Sequence, residues 1–360
     1  MGEKMQNLLD KSKETKNDLT DRQTDRQTDR QTWELLSKDQ GQYLRGLFAA
    51  LILVCHIYGM LSSRVGTTSL LLHPVFFYPL FGLGYISVAV FLFITGYGLV
   101  QQYNRRGIDY INDFPRNRIL PFYIKYVILI LLYIVFYTLC KVPGNEVSAL
   151  VIIKSFIFGG TIVSKGWYLQ ASLIIYLCFF AIFRLIKSRR WLWVIIAALI
   201  YTIICILLGL STTWYECMLL PLFGGLCGSL DVKPQKNWLG VIATGMLFCI
   251  LFLLGIKSFW GEPIRIFCKM LSAVIFVWFI ISLINRNVHQ LRRMFCWLGS
   301  ISFEIYVLQG MVMDFFEYGL RIDSHLMYCI TVVAMTIIIS RLTHPAFNAI
   351  DRKLKKNRVS

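Results

Sequence analysis

Residues 43–61 read YLRGLFAALILVCHIYGML, nineteen positions of which only Arg45 and His56 carry an ionisable group that matters near neutrality. A run of this length forms a helix long enough to cross a ~30 Å hydrocarbon layer, where every backbone polar group must be satisfied within the segment. Similar runs recur downstream at 77–100, 120–140, 167–186, 191–210, 214–230, 238–256, 264–284, 294–313 and 326–343. The fold class expected is therefore all-α, a polytopic integral membrane protein of about ten spans. The stretch 147–163 is apolar but shorter and interrupted by Lys154, which fits a re-entrant or interfacial piece.

Composition agrees with the bilayer reading. The 360 residues are 56% hydrophobic and 16% charged, with a mean hydropathy of +0.59, against about a quarter charged in ordinary soluble domains. The net charge of +17 would point to nucleic acid in a soluble domain. Here it follows from basic residues collecting on the cytoplasmic side, so no nucleic-acid partner is expected. With the N-terminus inside, the internal loops and C-terminal tail hold 19 Lys and Arg and the external loops hold 7. Both termini are thus expected in the cytoplasm and the protein in the inner membrane. The ten cysteines lie scattered in apolar stretches without CxxC spacing, as small apolar fillers rather than disulfides or metal ligands. No metal site is expected.

Residues 1–42 are polar, carry no signal-peptide core and are expected to form a disordered cytoplasmic tail; 43–343 form the membrane domain and 344–360 a basic tail. Within the first tail, Thr20 to Thr32 reads TDRQTDRQTDRQT. A tandem tetranucleotide ACAG returns to frame every twelve bases and encodes this four-residue period. Gain or loss of one unit would shift the frame, so phase-variable expression is one reading and a plain spacer the other.

Arg45 and His56 are eleven residues apart, which returns to within about 20° on a helix and separates them by ~16 Å along its axis. Both therefore project from one face, as if lining one pathway. Alternatively, Arg45 is a snorkelling anchor and His56 a histidine bonded to a neighbouring helix. A neutral imidazole there can accept a proton, and ionisable groups within spans are functional candidates by default.

RGLFAALILVCH (45–56) is similar to the Arg-x10-His signature that opens the acyltransferase-3 family of integral-membrane acyltransferases, which includes O-antigen acetylases. GYISVAVFLFITGYGL (84–99) resembles the family's second-helix motif, with Thr95-Gly96-Tyr97 in place of Ser-Gly-Phe. RNRILPFYI (116–124) resembles its Arg-Ile-x-Pro segment, GWYLQASLIIY (166–176) its Trp-Tyr-Leu helix start, and LGSISFEIYVLQG (298–310) its late helix. The chain departs from the family in three places. Arg116 lies only two residues before Arg118, Gln170-Ala171-Ser172 offers no carboxylate, and Gln309 occupies the position of the late His.

The resemblance implies transfer of an acyl group, usually acetyl from acetyl-CoA, to a glycan hydroxyl, with no tightly bound cofactor. His56 is the candidate general base, and Arg45, Arg116 and Arg118 are candidates to hold the donor's phosphates. Trp167 and Tyr168 could stack on a sugar or belong to the interfacial aromatic belt. Gly84, Gly96 and Gly98 would admit a close helix or the donor's pantetheine arm. Glu304, beside Ser302 and Tyr306, needs a partner such as Arg45 or Lys269, and Asp314 with Glu317 reads as solvated loop surface. A transporter or flippase of a lipid-linked sugar, and an inactive relative, remain the alternatives. Partners expected are acyl-CoA, a glycan acceptor and membrane lipids.

Overall fold

The computed structural model of the chain describes residues 35–65, 74–145, 147–230, 232–256, 261–285 and 291–356. The Thr20–Thr32 repeat, His73 and His289 lie outside them. The described residues form helices and loops without a strand.

The first helix, α1 (Lys38–Val65), starts five residues before the apolar run. Ser37 and Gln40 explain this by exchanging hydrogen bonds. Ser37 N donates to Gln40 Oε1 at 2.8 Å and Gln40 N to Ser37 Oγ at 3.2 Å, a capping box that satisfies otherwise orphaned amides. Just ahead, Leu35 and Leu36 are buried, and Asn285 Nδ2 holds the Leu35 carbonyl at 3.1 Å.

Helix α2 (Pro74–Arg106) is followed by α3 (Ile108–Phe114) and α4 (Leu120–Cys140), the last two joined through a π-helical turn at Pro115–Ile119. Pro121 has no N–H to return to that turn, where the helical ladder widens. The 147–163 stretch becomes α5 (Ala149–Phe156), capped by Ser148, and a loop that returns against the bundle. Its carbonyls are satisfied by side chains, as backbone away from water requires. Gln170 Nε2 donates to the carbonyls of Lys154, Ser155 and Gly160, and Tyr126 Oη to that of Ser155 at 2.8 Å.

Next come α6 (Trp167–Leu185), α7 (Arg190–Leu207), α8 (Leu219–Ser229), α9 (Trp238–Ile256) and α10 (Glu262–Ile284). The chain ends in α11 (Arg292–Ser300), α12 (Ser302–Asp314) and α13 (His325–Lys356). Among the described residues, eight helices are long and apolar enough to cross a membrane alone. Two expected spans differ. The 294–313 run is broken between α11 and α12 by a 72° bend. There α11 crosses α1 so closely that a Cβ at Gly299 would overlap the Gln42 carbonyl and one at Gly46 the Phe295 carbonyl. The 214–230 run is helical only as the 11-residue α8.

Within that run the chain packs closely on α2, where a Cβ at Gly224 would overlap the Phe93 carbonyl. The chain follows α2 in the same direction, from Cys217 Sγ on the Tyr85 carbonyl to Asn104 Nδ2 on the Gly228 carbonyl. The two ends of the described chain also share one face of the bundle. Arg45 of α1 and Asp351 of α13 line one cavity, while Leu53 and Ile57 pack on Tyr328 and Val332 at the other end. Leu199, Ile203 and Leu207 on α7, and Ile242, Met246 and Ile250 on α9, face outward in rows that water would not tolerate and lipid does.

Candidate functional site

At the end of the bundle where α1 begins and α13 finishes lies a cavity of about 590 Å³. One side of its wall is α2 and α6, whose alternate residues serve different surroundings. Thr95, Ser172 and Tyr176 face the cavity, while Gly96, Ala171 and Ile175 line a separate apolar cleft behind it. Gly96 is needed for packing, since a Cβ there would overlap the Pro221 carbonyl of α8. Thr95 contributes its hydroxyl to the Phe91 carbonyl of its own helix at 2.8 Å.

Two guanidinium groups enter the cavity. Arg45 and Arg118 are enclosed by surrounding helices, yet both keep exposed surface because they project into the cavity space. Neither has a carboxylate within ion-pair distance among the described residues. Tyr168 and Tyr176 stand near Arg45, and Tyr110 and Tyr176 near Arg118. The other basic residues of the wall are engaged: Arg106 pairs with Asp113 at 2.7 Å and Lys125 with Asp351 at 2.8 Å. Lys125 and Asp351 are wall residues that sequence reasoning did not single out. A lysine inside the 120–140 run was the available signal, but its partner lies on the last helix.

Arg116 does not join this set. Its Nε donates to the Leu354 carbonyl of α13 at 3.1 Å and its side chain is exposed. The reason is geometric, since residues two apart on a helical turn project to nearly opposite sides. Arg118 faces inward and Arg116 outward.

Tyr168 and Tyr306 line the cavity on the side toward Gln309, their rings meeting edge to face at 5.1 Å, with Phe91 against Tyr168 at 6.4 Å. Tyr306 Oη donates to the Lys165 carbonyl at 2.9 Å. Trp167 lies outside the cavity, against Tyr168 and Trp214. His56 is not on the cavity wall. It lies about one turn of α12 further on, beside Gln309, which is three residues past Tyr306, with Lys165 acting on it from the loop. His56 keeps part of its surface accessible, while its Nδ1 is fully enclosed.

Two acidic residues depart from expectation. Glu304 pairs with neither Arg45 nor Lys269. Its Oε1 accepts from His344 Nδ1 at 2.8 Å, and His344 Nε2 accepts from Asn348 Nδ2 at 2.8 Å. Lys269 is taken by Glu216 at 3.0 Å. Asp314 is not loop surface: it is buried at the end of α12 and accepts from Tyr137 Oη at 2.9 Å. No three of His, Cys, Asp and Glu among the described residues come together in a way that could hold a metal ion.

These features define a multi-pass membrane protein with a positively charged internal chamber. The family model described as an acyltransferase domain matches residues 42–343, and the chain belongs to that family. No curated protein and no solved structure matched it.

Proposed function

We propose that the protein transfers an acyl group, acetyl in the first instance, from cytoplasmic acyl-CoA to a hydroxyl of a cell-surface or lipid-linked glycan. The observation that carries this reading is the pair of guanidiniums, Arg45 and Arg118, in a roomy cavity without carboxylate partners. Such donors suit a polyanion: charge-assisted, bidentate contacts to phosphate are worth about 1.5–3 kcal/mol each. Positive-inside bias supports a cytoplasmic location for this end of the bundle, where acyl-CoA is found.

With the donor's phosphates on Arg45 and Arg118, its thioester arm would run past Tyr168 and Tyr306 toward His56. The imidazole takes the proton from the acceptor hydroxyl as that oxygen attacks the thioester carbonyl. The C–S bond then breaks, and the departing CoA thiolate recovers the proton from the imidazolium. Tyr168 and Tyr306, packed edge to face, keep water from the same carbonyl.

Purified protein in proteoliposomes, given radiolabelled acetyl-CoA and a cell-envelope glycan fraction, should label the glycan. His56→Ala should lower that rate by about 10²–10⁴-fold, and equal incorporation by both proteins would remove His56 as the base. We also propose that the TDRQ tract makes expression phase-variable. Genes sequenced from many single colonies should then differ by whole tetranucleotide units, and a length-invariant tract would end that idea.

A further inference from the structure

Where α1 meets α12, two enclosed polar atoms lie in neighbouring side chains that are close enough to act on one another, yet neither has a partner in full hydrogen-bonding geometry. They are His56 Nδ1 and Gln309 Oε1. A buried polar atom left unsatisfied forfeits its hydration without return, so an account is needed. Gln309 is wholly buried, and its amide nitrogen is committed, donating to the Tyr306 carbonyl at 3.0 Å. Turning the amide over would set its oxygen against that carbonyl, acceptor facing acceptor. The end offered to His56 is therefore an oxygen.

A carbonyl oxygen can pair only with a protonated ring nitrogen, and a neutral imidazole carries one proton. A small rotamer adjustment that closes Nδ1–H onto Oε1 satisfies both orphans at once. It also leaves the lone pair on Nε2, the nitrogen that is not enclosed. The surroundings hold α12 in this register. A Cβ at Gly310 would overlap Ser164, and Tyr306 Oη grips the Lys165 carbonyl, so the loop before α6 clamps the helix on either side of Gln309.

We propose that Gln309 is a positioning residue that holds His56 in its Nδ1-protonated tautomer and so presents Nε2 as the proton acceptor. This inference rests on the reading of His56 as general base. A wrong tautomer disables a base without moving it, because the lone pair then points away from the proton to be taken.

The test is 15N NMR of the full chain, labelled on histidine and held in nanodiscs, with the His56 signals assigned by difference from His56→Gln. Wild type should show Nδ1 protonated and Nε2 bare. Gln309→Glu, held protonated so that its hydroxyl donates to the Tyr306 carbonyl while its other oxygen stays an acceptor, should preserve that state, and Gln309→Met should show a mixture. In the transfer assay, Gln309→Met should lower kcat by about 10–100-fold with KM for acetyl-CoA within about twofold, and Gln309→Glu should restore kcat. A wild-type His56 protonated on Nε2, or the same tautomer in wild type and Gln309→Met, would overturn the proposal. So would a loss that appears only in KM. Should Gln309→Met fail to fold, the wild-type and Gln309→Glu spectra still decide. A Gln309-dependent tautomer in a protein whose His56→Ala variant still transfers acyl groups would sustain the positioning and remove the base.

Discussion

At the end of α10 remote from the cavity, Lys269 reaches Glu216 at 3.0 Å and sits 5.1 Å over the Tyr85 ring, whose hydroxyl meets Ser272 Oγ at 2.8 Å. At the cavity end, Arg45 and Arg118 have tyrosines around them, open space ahead and no carboxylate within ion-pair distance among the described residues, Asp351 of the same wall being held by Lys125. Both places hold cations within the bundle, yet the first is closed and the second is open. A charge inside a membrane protein is tolerated when it is paired or when it faces a polar cavity. Only the second arrangement has capacity left for a ligand, so the contrast separates a cation that secures the fold from cations that await an anion.

The largest effect should come from breaking the closed pair. Lys269→Ala leaves the Glu216 carboxylate, 2% exposed, buried without compensation. That should cost about 3–5 kcal/mol, read as a lower unfolding temperature and poor yield in detergent. Replacing both partners with apolar residues of similar volume should recover most of the loss. If the double replacement proved as damaging as the single one, Lys269 and Glu216 would have a role beyond neutralising each other.

Arg45→Ala should behave in the opposite way. Nothing in the protein loses an ion-pair partner, so the unfolding temperature should stay close to wild type. The KM for acetyl-CoA should instead rise about 10–100-fold, the equivalent of one or two charge-assisted hydrogen bonds. Raising the salt concentration should weaken donor binding to wild type more than to the variant. An unchanged KM together with a marked loss of stability would place Arg45 with Lys269, as a cation that holds the bundle together.

What the sequence could reveal follows the range of each interaction. The Arg45–His56 spacing lies within one helix, where 3.6 residues per turn fixes the geometry. The span at 43–61 was legible for the same reason. Gln40 capping Ser37 was equally local, but it sits among polar residues that an apolar-run argument passes over. The pairs that define the site's surroundings join distant segments: Lys125 with Asp351, Glu304 with His344, Tyr137 with Asp314. No periodicity encodes them. Asp314 looked like loop surface because α12 continues beyond the apolar run to reach it. The shortness of α8 was hidden for a similar reason: Gly224 and Gly228 extend an apolar run, and their closeness to α2 appears only once the helices pack.

The smallest and most discriminating effect concerns Arg116 and Arg118, two basic residues on the same π-helical turn that composition treats alike. Positive-inside bias accounts for both equally well, and only their direction tells them apart. Arg118 enters the cavity beside Tyr110 and Tyr176, whereas Arg116 is spent on the Leu354 carbonyl at the protein's surface. Arg118→Ala should therefore raise the KM for acetyl-CoA by about tenfold, one charge-assisted contact. Arg116→Ala should leave it within about twofold and, by freeing the end of α13, change mainly the hydrogen exchange of residues 345–356. Lysine at 118 should recover only part of the loss, because an ammonium keeps the charge but not the bidentate fork. Equal effects at 116 and 118 would mean that the donor is held by diffuse positive charge at the membrane surface, and that the open guanidinium in the cavity does no more than its neighbour outside.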